Sequence, residues 1–250
     1  MTDLSLLLIF CAAAFLAGGF VKGVIGMGLP TIAIGLMSLA VAPAQAAAVL
    51  IIPSLVTNIV QLLQGDALKR LVKRLASMMA GVCIGTWAGT GWMTGTGSPI
   101  AGIVLGAALI VYAIVGLGKI SFHVTPRWEP LLSPLVGIAT GLISAATGVF
   151  VIPAVPYLQA LGLQKDEMVQ ALGFFFTVST LALAVNLLRA DLLSPDIAVL
   201  SLVALAAALG GQFLGRLLRG RLDPDSFRLW FFLSLLALGT YLVIQRSLAL

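Results

Sequence analysis

The sequence predicts an all-α, polytopic membrane protein made of two inverted repeats, each with one broken helical hairpin plus three transmembrane helices. Three observations predict it. First, 60% of the 250 residues are hydrophobic and only 9% are charged, whereas a soluble domain carries about 25% charged residues. With a mean hydropathy of +1.14, no soluble core of this size hides so much apolar surface. Second, the apolar runs follow one order twice: a long interrupted run, then three plain ones. Third, the basic loops count the crossings. At ~20 residues per crossing the chain holds roughly seven to nine membrane segments and leaves no room for a large soluble domain.

The first run, Leu4 to Val41, is too long for one crossing and is interrupted by "GGFVKGVIGMGLP" (Gly18 to Pro30). Its start lacks the basic region of a secretory signal and reads as the first membrane segment. Plain runs follow at Ala44–Leu63, Leu75–Met93 and Pro99–Leu117. The second interrupted run is Leu131–Leu161, with its break near Ala145–Pro156, and Met168–Leu188, Pro195–Leu218 and Phe227–Ile244 complete the set. Ordered residue matches support an internal repeat. "SLVT" (Ser54–Thr57) parallels "TVST" (Thr177–Thr180) at an offset of 123, and "GTWAG" (Gly85–Gly89) parallels "GQFLG" (Gly211–Gly215) at 126.

Orientation follows from the loops. Asp66–Arg74 carries Lys69, Arg70, Lys73 and Arg74, and Arg216–Arg228 carries Arg216, Arg219, Arg221 and Arg228. Both are expected in the cytoplasm, as is the central loop with Lys119, His123 and Arg127. Thr94–Ser98 and Arg189–Pro195 are expected outside. Between the central loop and Arg216–Arg228 the number of crossings must be even, so the interrupted run enters and leaves on one side. The same count makes Leu4–Val41 a hairpin from the outside. The expected organisation is a first repeat at 1–118, a cytoplasmic connection at 119–130 and a second repeat at 131–250. Both termini are then periplasmic, in an inner membrane. The alternative, a single bent helix at each break, places one arginine-rich loop outside.

Lys22 is the one charged residue that no loop or segment end accommodates. A charge at bilayer depth costs at least ~2.5–3.5 kcal/mol on insertion scales. Two readings stand: the side chain snorkels to an interface, or its counterion is a bound anion. Gly23, Gly26 and Gly28 let the backbone unwind beside it, and Pro30 suits the first turn of a new helix, whose N-terminus attracts anions. Thr147 and Gly148, before Pro153, offer the mirror-related break. A second set is uncharged: Ser54, Thr57, Asn58 and Gln61, with Thr177, Ser179 and Thr180 as a partial mirror. Ser54, Asn58 and Gln61 share one helix face. Such side chains serve equally as hydrogen bonds between helices or as oxyanion ligands. Glycines at four-residue spacing, Gly81/Gly85/Gly89 and Gly211/Gly215, read as helix-packing positions, and Cys11 and Cys83 as small core residues.

Other chemistry is not indicated. His123 is the sole histidine, so no histidine-based metal site or triad is expected. There is no phosphate-binding loop for nucleotides, no carboxylate within an apolar run, no signal for a cofactor, and no sign of nucleic acid as a partner.

The segments "AGGFVKGVIGMGLPTIAIGL" and "PAQAAAVLIIPSLVTNIVQLL", with "GLISAATGVFVIPAVPYLQALGL" and "QALGFFFTVSTLALAVNL", resemble the sulfite exporter TauE/SafE family of membrane transporters. The resemblance covers almost the whole chain. It departs in the second break, where many members have a run of glycines and this chain has "SAATGVF". The resemblance implies export of a small anion such as sulfite, a sulfonate or a related organic acid, with Gly26, Gly28, Thr147 and Gly148 at the two breaks. The expected substrate contacts are therefore Lys22, Gly26, Gly28, Thr31, Ser54, Thr57, Asn58, Gln61, Thr147, Gly148, Thr177 and Thr180, with the anion and the lipid bilayer as partners. A cation-coupled importer of organic anions and a non-transporting membrane scaffold are the alternatives.

Overall fold

A computed structural model describes residues 2–93, 99–118, 123–193 and 195–248; the predicted outer loop Thr94–Ser98, Lys119 of the central loop and position 194 lie outside them. Among the described residues there are ten helices and no strand: α1 (Thr2–Ile25), α2 (Leu29–Met37), α3 (Pro43–Leu62), α4 (Leu68–Ala88), α5 (Pro99–Leu117), α6 (Glu129–Thr147), α7 (Ala154–Ala160), α8 (Lys165–Arg189), α9 (Pro195–Leu218) and α10 (Pro224–Ser247). Seven of them are long and apolar enough to cross a membrane. Both interrupted runs are helix–break–helix. The second members, α2 and α7, have 9 and 7 residues, or about 14 and 10 Å at 1.5 Å per residue, half a bilayer or less.

Two loop assignments shift. Lys69, Arg70, Lys73 and Arg74 belong to the first turns of α4, and Arg216 and Arg228 to α9 and α10. Long basic side chains can start a helix near an interface because their stems cover apolar surface while the charged heads stay in water. Here some heads are also paired. Arg74 grips Glu129 at the start of α6 through two bonds of 2.9 and 2.6 Å, and Arg70 meets Glu167 at the start of α8. Asp223 caps α10 by accepting from the Ser226 amide at 2.9 Å, and hydrogen bonding from Ser226 holds its carboxyl below the ordinary range.

The four main helix pairings are kept when the halves are exchanged. α1 lies on α9 as α6 lies on α4; α3 pairs with α8, and α5 with α10. The first two pairs run parallel, with Gly19 against Ala208 and Gly23 against Gln212, and Gly81 against Pro134 and Gly85 against Ile138. The other two run antiparallel. Ser54 meets Thr180 while Gln61 meets Val169, and Gly106 meets Gly239 while Gly116 meets Phe232.

The glycine stripes are close-approach positions, as the spacing predicts. A Cβ on Gly85 would lie 2.2 Å from the Ile138 carbonyl oxygen, and one on Gly211 would lie 2.1 Å from that of Leu16. Gly23 belongs with them rather than with the break: it is helical within α1, and its Cβ would meet the Gln212 carbonyl at 2.4 Å. Of the two cysteines, Cys11 is buried, but Cys83 is half-exposed and is not a core residue.

Candidate functional site

α1 ends at Ile25, and the chain turns through Gly26, Met27 and Gly28 into α2. Gly26 (φ 80°) and Gly28 (φ 105°) occupy left-handed backbone, which glycine adopts without the Cβ penalty. Pro30 lies in the first turn of α2, where its missing N–H costs nothing. The carbonyls released by the break need donors, because hydrocarbon supplies none. Gln61 Nε2 donates to Gly26 O at 3.0 Å and to Val169 O at 3.1 Å, and Thr31 Oγ1 donates to Gly28 O at 2.9 Å. Gln61 and Thr31 therefore hold the break in shape. Replacing Gln61 with leucine should leave the part-buried Gly26 carbonyl short of a donor, while Val169 O keeps its amide donor within α8, and cost about 1–3 kcal/mol. A lowered Tm and faster amide exchange at residues 26–29 would be the readout.

Lys22 does not snorkel. It is 3% exposed, and its ammonium points inward to α3. Nζ donates to Thr57 Oγ1 at 3.0 Å and to Asn58 Oδ1. The protons beyond it form a consistent chain. Thr57 uses its own hydroxyl proton on Pro53 O (2.8 Å), so its oxygen is free to accept. Asn58 Nδ2 donates to Ser54 Oγ at 3.0 Å. Ser54 and Thr180 hydroxyls lie 3.0 Å apart. Because Thr180 donates to Phe176 O at 2.7 Å, Ser54 is the donor between them. The cation of the first half is thus wired through α3 into α8 of the second. Two of its three donors are taken by neutral oxygens, and both ion pairs among the described residues lie elsewhere. The sequence leaves Lys22 a choice between an interface and an anion; the structure adds neutral acceptors on a neighbouring helix.

The second break is at the other end of the molecule. Gly148 (φ 72°) ends α6 and packs against Ile34 and Ala47. Ala47 and the Gln61 beside Gly26 are both on α3, fourteen residues or about 21 Å apart. The expected contacts therefore divide: Lys22, Gly26, Gly28, Thr31, Ser54, Thr57, Asn58, Gln61 and Thr180 gather at the first break, and Thr147 and Gly148 stand apart. Thr147 Oγ1 accepts from the Val149 amide at 3.1 Å. Thr177 is half-buried and donates to Gly173 O within α8 at 2.7 Å.

The breaks also establish a register. The Gly26 amide closes on Lys22 O at 2.8 Å and the Gly148 amide on Ser144 O at 2.7 Å, so the mirror position of Lys22 is Ser144. That serine is completely buried, and its hydroxyl has no partner among the described residues. Aligning the two positive-φ glycines would have found it in the sequence. Two other polar residues were missed. Gln170 cradles the α3–α4 turn, donating to Leu62 O and Gly65 O and accepting from the Ala67 amide. Asn186 donates to Thr86 O at the far end of α4.

The family model for the sulfite exporter TauE/SafE matches residues 10–242. The chain belongs to this family. Membership makes the TauE/SafE chain a multi-pass membrane transporter of a small anion rather than an enzyme. Comparison with curated proteins and with solved structures finds no match. In the TauE/SafE chain the family match spans both breaks and the whole Lys22 network.

Proposed function

We propose that this chain is a secondary exporter, in the cell inner membrane, of a small anion such as sulfite, a sulfonate or a related organic acid. The observation that carries the reading is the buried Lys22 ammonium beside a broken helix, held by Thr57 and Asn58 and without a carboxylate contact among the described residues. An anion drawn to that charge meets the third Nζ donor of Lys22, the one that neither Thr57 nor Asn58 takes. An inside-negative potential favours anion exit by ~2.3 kcal/mol per charge per 100 mV, so no coupled ion is required.

Transport would proceed by motion between two halves of opposite orientation. Repeats of the same orientation place equivalent helices parallel; α3 and α8, like α5 and α10, run antiparallel. This supports an inverted repeat related by an axis in the membrane plane. The face with the basic ends of α4, α9 and α10 is cytoplasmic by the positive-inside rule, and both termini are periplasmic.

The test is flux from proteoliposomes loaded with sulfite or an alkylsulfonate, under a potassium diffusion potential negative on the side corresponding to the cytoplasm. Efflux should rise with the potential and need neither sodium nor a proton gradient. Absence of movement for every such anion ends the substrate reading, and sodium- or proton-dependent uptake replaces it with coupled import.

A further inference from the structure

We propose that the cavity enclosed by the first break, the C-terminal end of α5, α7 and the start of α10 is a separate anion-binding antechamber open to the cytosol. In it Arg228 makes the first contact with the substrate; this rests on the exporter reading above. The cavity measures about 230 Å³, and its lining includes Ile25 and Met27 of the break, Gly116, Gln159, Arg228 and Phe232. Liquid water occupies about 30 Å³ per molecule, so a small oxyanion fits together with several waters.

The lining contains a guanidinium and no acidic side chain. Arg228 is half-buried and fixed from two sides. Its Nη2 donates to Gly116 O at 2.7 Å, and its guanidinium carbon lies 5.8 Å from the Phe232 ring centroid. A guanidinium has five donors in a planar fork that suits an oxyanion. Gly116 is needed for this arrangement, because a Cβ there would stand 2.1 Å from the Phe232 ring. Asp225 lines the adjoining cavity that shares Gly116, Arg228 and Phe232, which makes the side toward Met27 the favourable one for an anion.

The inner wall is aromatic. The Tyr112 ring lies edge-on to Phe231 and Phe232, at 6.3 and 5.2 Å between centroids, and its hydroxyl donates to Met27 Sδ at 3.5 Å. Met27 in this wall belongs to the break, one helical turn past Lys22. The two cations are therefore successive positions on one route: Arg228 gathers the anion at the interface, and Lys22 receives it at depth.

The test needs no transport. In a Cys11→Ala, Cys83→Ala background, Gln159→Cys is labelled with a sulfonate-bearing methanethiosulfonate and with its trimethylammonium counterpart. Phosphatidylcholine vesicles are used, with methanesulfonate as the protecting anion because sulfite would consume the reagent. Arg228→Ala should lower the anionic-to-cationic rate ratio about tenfold or more, the scale at which a focused local charge acts. It should also remove protection by methanesulfonate. Arg228→Lys should keep the ratio and lose most of the protection. Where Arg228→Ala fails to fold, Arg228→Gln, which keeps a donor toward Gly116, reads the same quantities.

An unchanged ratio with unchanged protection overturns the antechamber. So does protection by phosphatidylglycerol equal to that by methanesulfonate, which would make a lipid headgroup the occupant. If the ratio and protection behave as stated but no sulfonate or sulfite is carried, the antechamber stands and the exporter reading falls.

Discussion

Lys22→Met should abolish transport while leaving a folded protein. Losing a hydrogen-bonded buried charge from a binding site costs about 2–5 kcal/mol, equivalent to a fall of roughly 30- to 5,000-fold in transport efficiency. Stability should move far less, because opposing terms nearly cancel. The substitution strands Asn58 Oδ1 at about 1–3 kcal/mol, while Thr57 Oγ1 keeps its bond to Pro53 O. It also removes an ammonium whose insertion costs at least ~2.5–3.5 kcal/mol, and methionine keeps the volume of the stem. The Tm should shift by no more than a few degrees, at about 2–4 °C per kcal/mol for a chain of this size. Lys22→Arg keeps the charge, but its planar fork does not reproduce a point donor between Thr57 and Asn58, so it should restore little. Sulfite efflux at the wild-type rate from Lys22→Met would falsify the substrate role of this side chain.

The second large effect is structural. Gly211→Val should destabilise the protein by about 3 kcal/mol or more, because the helix axes must separate and overpacked contacts with backbone do not relax. The contact is with Leu16 O at 2.1 Å, so α1 and α9 would part along the stripe that also holds Gly23, one residue from Lys22. Gly85→Val should do the same to α4 and α6 through Ile138. Both are measured as a Tm lowered by about 10 °C. Gly220→Ala is the control, since nothing lies within 4 Å of its Cβ. A wild-type Tm for Gly211→Val contradicts the α1–α9 contact.

Much of this fold is written in local chemistry. Run length and Gly/Pro content separate the two broken segments from the plain ones, and four-residue glycine spacing marks the α4–α6 and α1–α9 contacts. The same local signal misled at Gly23. Its nearness to Gly26 and Gly28 made it part of the break, although its spacing from Gly19 matches that of Gly211 and Gly215. Nor did apolar run boundaries place the basic residues of α4, because a helix continues into an interface as long as its charges reach water or a partner such as Glu129.

The candidate site was legible as an inventory and not as an arrangement. Lys22, Thr57 and Asn58 stand out because polar atoms in hydrocarbon need a reason. Their contact depends on how α1 is placed against α3, which no single helix encodes. Ser144 stands out only once the left-handed glycines Gly26 and Gly148 set the register of the two breaks.

By itself the sequence determined the solvent of this protein and the places where its helices break, since each depends on residues close together along the chain. Only the tertiary structure decided that Lys22 turns inward to Asn58, that Ser54 carries the network to Thr180 across 126 positions, and that the two breaks stand at opposite ends of α3. Those pairings arise when helices distant in sequence pack in one register, and close glycine contacts and exchange-symmetric packing set that register.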